Sequence, residues 1–166
     1  MRFEKVSKKQ FVEAAVKTGR YTEESAEFAY ENIKLPKRAT VGSAGYDFFS
    51  PEPITLNPGE TLLIPTGIRA FIDEGYFLML APRSGLGFKY RLQLDNTLGI
   101  IDFDYVYSDN EGHIMAKITN DSKTDKTLTL TQGSAFIQGI FVKYGITDDD
   151  DTDGIRNGGF GSTSTT

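Results

Sequence analysis

The chain has 166 residues, of which 39% are hydrophobic and 25% charged, values typical of one compact domain with a substantial core. Its net charge of -5 excludes a generic nucleic-acid-binding surface, because such a surface needs clustered lysine and arginine. The absence of cysteine excludes disulfides and thiolate metal sites. No apolar segment has the length of a signal-peptide core or a membrane span, so we expect a cytoplasmic protein with no membrane partner.

The first 34 residues are predicted to form a short helical extension. Ser7 and Gln10 have capping-box spacing, Gly19 is a C-terminal stop signal, and a second helix is predicted to begin at Thr22. Residues 1–38 hold nine basic and six acidic residues, so they carry +3 and the remainder carries -8. We expect this extension to pack on the main body, and the alternative is a docking arm for a regulatory protein partner.

Between residues 35 and 147 the pattern changes to short apolar segments separated by turns that contain Pro, Gly, Asn or Asp. Many short strands without intervening helical patterns predict an all-β sandwich, jelly roll or barrel. His113, the only histidine, stands at the start of one strand, and we expect a surface or turn residue there. The predicted strand segments are YDFF, TLLI, IRAFI, YFLMLA, LGII, HIMAKIT, TLTLT and AFIQGIFV.

Residues 148–166 have the composition of a solvated end. Five of the six residues from 148 to 153 are aspartate, and their mutual repulsion predicts an extended linker. The segment that follows, GIRNGGFGSTSTT, combines glycine with one arginine, one phenylalanine and several hydroxyls. Composition alone predicts a disordered end, and the alternative is an arm that orders on a ligand and excludes water.

The segment LQLDNTLGIIDFDY, residues 92–105, places carboxylates at the end of an apolar strand. Burial makes a charge costly, so we expect a buried acid here that is paired, hydrogen-bonded or catalytic. The residues alone leave two alternatives for Asp102, a structural turn acid and a general base.

Two further segments have the chemistry of anion binding. In PRSGLG, residues 82–87, a turn would expose main-chain N–H groups beside Arg83 and Ser84, although such turns are also common without a ligand. In RNGGFGST, residues 156–163, the arginine offers a bidentate fork, the glycines let amides approach an anion, and the phenylalanine can stack on a planar ring.

The order of these segments resembles the five motifs of the trimeric dUTP pyrophosphatase (dUTPase) family, and the match covers residues 35–163. Two departures stand out. VYSDNEGH follows Tyr105 where the family commonly continues with Arg-Gly, and Ala135 replaces a frequent arginine of the fourth motif. The five matching segments are AGYD at 44–47, PRSGLG at 82–87, NTLGIIDFDY at 96–105, GSAFIQGIF at 133–141 and RNGGFGST at 156–163.

This resemblance implies an all-β, jelly-roll-like subunit with a core at residues 35–147. The N-terminal helical extension at 1–34 precedes it, and the acidic linker with a flexible C-terminal arm at 148–166 follows. It also implies a homotrimer with shared active sites, in which an extended linker can carry the arm across to a neighbour's pocket. The implied reaction is hydrolysis of dUTP to dUMP and pyrophosphate, with Mg2+ held mainly by the triphosphate.

Roles for individual residues also come from the resemblance. Asp102 matches the carboxylate that deprotonates the attacking water, Tyr105 matches the ring under the deoxyribose, and Asp47 matches an acid that supports Mg2+ through water. Main-chain groups of the hairpin at 93–101 are expected to read uracil. The other implied substrate-binding residues are Asn96, Gly99 and Ile101 at the base, Arg83, Ser84, Gly85 and Gln138 at the phosphates, and Arg156, Phe160, Gly161, Ser162 and Thr163 in the closing arm.

Two other functions are compatible with the residues. The first is a dCTP deaminase-like enzyme of the same fold, which would need an acid close to the base ring. The IDFDY ending of the third motif, together with the complete Phe-Gly arm, favours the diphosphatase over this alternative. The second is a nucleotide-gated regulatory binding protein that keeps the pocket as a switch, with the N-terminal segment or the VYSDNEGH loop as its docking surface.

Overall fold

A computed structural model of the protein describes residues 1–154 and 156. None of the helices in this part of the chain is long and apolar enough to cross a membrane. The strands are β1 (Arg2–Lys5), β2 (Lys37–Arg38), β3 (Tyr46–Phe49), β4 (Ile54–Leu56), β5 (Thr61–Pro65), β6 (Ile68–Phe71), β7 (Tyr76–Pro82), β8 (Leu92–Leu94), β9 (Gly99–Ile101), β10 (Met115–Asn120), β11 (Leu128–Leu130) and β12 (Ala135–Lys143). The helices are α1 (Lys8–Lys17), α2 (Glu23–Glu31) and α3 (Ser84–Tyr90), and Phe103–Tyr107 form a 3-10 helix.

The strands form antiparallel sheets whose neighbours are mostly distant in sequence. The largest sheet has five strands in the order β2-β3-β12-β7-β9, and a three-stranded sheet has the order β5-β10-β8. Two pairs, β1 with β6 and β11 with β4, complete the arrangement. Each of the eight predicted segments contains a strand, which confirms the predicted all-β, jelly-roll-like fold.

One continuous hydrophobic core receives side chains from all of these sheets. Phe48, Phe136, Ile64 and Leu128 are fully buried within it. Each such side chain contributes about 1.5–3 kcal/mol by leaving water, so the core holds the strands firmly in register. The functional residues described below are located where these strands end.

The N-terminal segment contains both predicted helices but also a strand that the sequence pattern did not predict. Ser7 Oγ accepts a hydrogen bond from Gln10 N at 3.1 Å, and Thr22 and Ser25 cap α2 reciprocally. β1 pairs with β6 over its whole length. Phe11 of α1 is fully buried, so this segment contributes to the core of the protein.

The segment PRSGLG forms the start of a helix, so the predicted turn is wrong. Leu86 N and Gly87 N donate to Arg83 O at 3.0 and 2.9 Å, which closes the first turn of α3. The two glycines lower intrinsic helix propensity by about 1 kcal/mol each, which obscured the helix in the sequence. Ser84 and Gly85 remain exposed at its first turn.

His113 is buried, so the predicted surface position is wrong. Its side chain is only 1% exposed, and Phe11 of α1 packs against it with the two ring centroids 6.1 Å apart. Gly67 N donates a hydrogen bond to His113 Nε2 at 2.9 Å, which requires the neutral imidazole. Burial lowers the pKa of His113 to about 4, against a smaller opposing effect of Glu111.

This buried imidazole predicts a stability loss in mild acid. Because the pKa is about 4 in the folded chain and 6.5 in the unfolded chain, unfolding takes up a proton between these values. The free energy of unfolding is therefore expected to be lower at pH 5 than at pH 7 by about 2 kcal/mol from this group. Urea unfolding at both pH values and one protein concentration measures the difference. His113→Gln should remove this contribution, and an unchanged pH dependence in that variant would contradict the assignment.

Candidate functional site

A cavity of about 190 Å³ opens between two strands that diverge from one tight turn. Thr97 N donates to Leu94 O at 2.8 Å, which closes the turn. From there β8 joins β10 in the three-stranded sheet, whereas β9 joins β7 in the five-stranded sheet. The predicted hairpin at 93–101 is therefore a turn whose two arms belong to different sheets, and the cavity occupies the gap between them.

Gly99 makes the close packing of β9 on β7 possible. A Cβ atom at this position would lie 2.9 Å from Leu80 Cβ, nearer than real side chains approach. Any larger residue would push β9 away from β7 and so distort this wall of the cavity. The requirement for glycine here is thus set by the approach of two strands.

The cavity brings together six of the residues predicted from the sequence. Residues outside the five motifs also line the cavity. Met115 and Lys117 could have been expected to lie together, because alternation along β10 places them on one face of the strand. The predicted lining residues are Asn96, Gly99, Ile101, Asp102, Tyr105 and Arg156, and the others are Leu80, Leu94, Ile100, Met115, Ala116 and Lys117.

Asp102 lies at the rim of the cavity, directly after the last residue of β9. Its side chain is 47% exposed, so the expected burial is wrong for the single chain. The reason is that β9 ends at Ile101, and the carboxylate projects beyond the sheet. Arg156 binds Asp102 and donates from Nε to Asp104 Oδ1 at 2.9 Å, so the arginine bridges both carboxylates.

Tyr105 forms a rigid wall of the same cavity and is 5% exposed. Its hydroxyl donates to His113 O at 3.0 Å and accepts from Asn110 Nδ2 at 2.8 Å. Burial raises the pKa of the Tyr105 phenol, while Asn110 and Arg156 oppose that rise. The phenol is thus kept protonated, and its ring presents an apolar surface beside Asp102.

A second cluster of predicted residues lies at the start of α3 and on the facing strands. Arg83 Nε is 3.0 Å from Asp47 Oδ1, and Gln138 of β12 stands opposite Asp47 of β3 in the register. Gly45 allows this packing, because a Cβ there would lie 2.5 Å from Gln138 Oε1. These residues, with Ser84 and Gly85, do not line the cavity within one chain.

No group of three or more His, Cys, Asp or Glu side chains that could hold a metal ion occurs among residues 1–154 and 156. Asp47 is paired with Arg83, so it offers one carboxylate and not a cage of ligands. This donor set fits an ion such as Mg2+ only if the ion brings phosphate oxygens and waters as its other ligands.

The acidic linker and part of the arm belong to the described region. Residues 148–154 are exposed, and Arg156 returns to the cavity. Predicted roles at four other positions lie outside the described residues, and these are Phe160, Gly161, Ser162 and Thr163.

Comparison with known proteins gives matches to one family over most of the chain. The dUTPase family model matches residues 31–165. The deoxyuridine 5'-triphosphate nucleotidohydrolase of Lactococcus lactis subsp. lactis is 40% identical over 139 residues, which cover 81% of this chain and 91% of the relative. The crystal structure of dUTPase from Streptococcus mutans has a TM-score of 0.64 and 34% identity, covering 89% of this chain and 99% of that one.

A second similar structure is a variant of the dUTPase from phage phi11 of S. aureus, described as revealing the coordination of a structural Mg(II) ion. It has a TM-score of 0.60 and 25% identity, and covers 75% of this chain and 92% of that one.

A cavity between two sheet edges, with carboxylates and an arginine at its rim and a buried tyrosine in its wall, defines a site for a polar small molecule. Together with the match over most of the chain, the fold and this site define a hydrolase. The chain belongs to the dUTPase family.

Proposed function

We propose that the protein hydrolyses dUTP to dUMP and pyrophosphate, with Asp102 as the general base. The observation that carries this proposal is the Asp102 carboxylate, half exposed at the rim of a cavity whose walls suit a base and a sugar. The carboxylate takes a proton from a water molecule, and the water oxygen attacks the α-phosphorus. The bond from that phosphorus to the bridging oxygen breaks, and pyrophosphate leaves.

Arg156 is the residue that substrate binding would displace. It pairs with Asp102 and Asp104 in this structure, and this position beside the proposed base supports a role in binding phosphate oxygens. A triphosphate offers more negative oxygens than the two carboxylates and competes for the same guanidinium. Transfer of Arg156 to the phosphates would free the Asp102 carboxylate to act as a base.

Uracil is proposed to bind along the strand edges that form the cavity. Within the described residues β9 is the end strand of its sheet and β8 the end strand of another. Main-chain groups around Asn96, Gly99 and Ile101 can therefore pair with the edge of a base as another strand would. Cytosine presents a donor where uracil presents an acceptor, which would leave unpaired polar groups that cost about 1–3 kcal/mol each.

The phosphates are proposed to bind the second cluster, contributed by another copy of the chain in a homotrimer. Arg83, Ser84, Gly85 and Gln138 have donors for phosphate oxygens, yet they do not line the cavity of their own chain. Phe88 of α3, beside this cluster, is 92% exposed, so an apolar side chain is available there for contact with another subunit. A closed ring would cover it and bring the cluster to a neighbouring cavity.

Asp47 is proposed to hold Mg2+ through water beside the triphosphate. The bound ion would draw charge from the phosphate oxygens and orient the chain of phosphates. Asp47 contributes by fixing Arg83 at 3.0 Å and by offering its second oxygen to the hydration shell.

The cytoplasmic location predicted from the sequence stays a prediction.

Incubation with dUTP and with dCTP, in the presence of Mg2+, separates the proposed reaction from its main rival. We expect pyrophosphate and dUMP from dUTP and no ammonia from dCTP. The measurement is phosphate release after added pyrophosphatase, beside an enzymatic ammonia assay. Ammonia from dCTP without pyrophosphate from dUTP would instead identify a deaminase of the same fold.

A further inference from the structure

The loop that departs from the family pattern directly follows Tyr105 in the chain. We call residues 106–113, VYSDNEGH, the tyrosine loop. It begins at the residue after Tyr105, and it returns to hold the hydroxyl of that same tyrosine. Asn110 Nδ2 donates to the hydroxyl at 2.8 Å, and the hydroxyl donates to His113 O at 3.0 Å. The tyrosine loop is therefore in direct contact with a residue of the cavity wall.

The amide of Asn110 is fixed in the orientation that this contact needs. Gly112 N donates to Asn110 Oδ1 at 3.1 Å, which leaves the NH2 group to face Tyr105. Gly112 has φ +69 and packs on the main chain, since a Cβ there would lie 2.5 Å from Val106 Cα. Only glycine lets the tyrosine loop close this tightly, and the closed loop presents Asn110 as a donor.

The opposite side of the tyrosine loop is attached to the N-terminal segment. Ser7, the N-cap of α1, donates from N to Glu111 Oε2 at 2.7 Å and from Oγ to Glu111 Oε1 at 2.5 Å. Burial alone would raise the pKa of Glu111, but these hydrogen bonds and the charge of Arg69 lower it. The carboxylate is thus held charged at the start of α1, and these hydrogen bonds attach the tyrosine loop to the N-terminal segment.

We propose that Asn110 is a positioning residue that sets the Tyr105 ring against the sugar of the nucleotide and so determines discrimination between deoxyribose and ribose. The inference rests on the proposed function and on the position under the deoxyribose that the resemblance to the dUTPase family implies for the Tyr105 ring. A 2'-hydroxyl is rejected only if the ring cannot move aside, and loss of the hydrogen bond from Asn110 would let the phenol move more easily.

Discrimination can be measured without turnover, from the binding of non-hydrolysable imido analogues of dUTP and UTP in the presence of Mg2+. For Asn110→Ala we expect the preference for the deoxy analogue to fall by about three- to tenfold, the range of one lost hydrogen bond. Calorimetry on the full-length chain gives both dissociation constants. Asn57→Ala, which changes an exposed asparagine far from Tyr105 in sequence, is the matched control and should keep the preference.

A double-mutant cycle with Tyr105→Phe tests whether Asn110 acts through the tyrosine hydroxyl. If it does, Asn110→Ala causes no additional loss of preference in the Tyr105→Phe background. If the losses of preference caused by the two substitutions multiply in the double variant, the proposal is overturned. An unchanged preference in Asn110→Ala would also overturn it. Asn110→Ser, whose shorter side chain cannot bridge to Tyr105, replaces Asn110→Ala in the cycle should the alanine variant not fold.

The cycle also separates this inference from the proposed function. An unaltered chain that binds the deoxy analogue selectively but releases no pyrophosphate from dUTP would overturn the proposed reaction, and the cycle would still decide the role of Asn110. Equal binding of both analogues by the unaltered chain would overturn the positioning role, while pyrophosphate release from dUTP would still support the reaction.

Discussion

Replacing Asp102 with asparagine is expected to lower the rate of dUTP hydrolysis by about 10²- to 10⁴-fold while nucleotide binding survives. Asparagine keeps the shape of the side chain and the contact with Arg156, but it cannot take a proton from water. The loss should therefore appear in kcat, measured by pyrophosphate release, and the dissociation constant of a non-hydrolysable dUTP analogue should change only a few fold.

Asp104 supplies a matched control for this variant. It binds the same arginine at 2.9 Å and is 36% exposed, but it does not line the cavity. Asp104→Asn removes the same amount of charge from the same cluster, so a much smaller loss of kcat is expected. Unchanged turnover in Asp102→Asn, or equal losses in both variants, would show that Asp102 is not the base.

Deleting residues 156–166 is expected to abolish measurable turnover, a loss of at least about 100-fold, because it removes Arg156 and the rest of the fifth motif. The described strands and their core lie before residue 144, so the shortened chain should fold and keep its oligomeric state. Steady-state kinetics measures the first expectation, and sedimentation analysis measures the second.

A shorter deletion, of residues 164–166 only, leaves the RNGGFGST motif complete and serves as the control. We expect it to retain activity within a few fold. Full activity after removal of residues 156–166 would show that the arm has no part in catalysis. Loss of the oligomer in that variant would show that the arm serves assembly.

Local patterns were sufficient wherever a structure depends on neighbouring residues. Short apolar segments between turn residues located eight strands, and the caps at Ser7 and Thr22 located both N-terminal helices. Strand β1 was missed because RFEK is rich in charge and is stabilised by pairing with β6, more than 60 residues away. The helix α3 was missed because its glycines lower the local helical signal.

The candidate site shows the same division between features that local sequence predicts and features that depend on distant residues. The resemblance named Asp102, Tyr105 and Arg156 from their motifs, and all three line one cavity. No motif predicted that Arg156 binds Asp102 in the same chain, or that Asp102 is half exposed, because both follow from where β9 ends and where the linker returns.

The sequence by itself determined the family, the all-β class and the residue types available for chemistry, since these follow from local pattern and motif order. Only the tertiary structure decided the burial of His113, the division of the predicted site into two clusters, and the support of Tyr105 by Asn110. The physical reason is separation along the chain. The contact between Ser7 and Glu111 joins residues 104 positions apart, and only the folding of α1 against the residues before β10 brings them together.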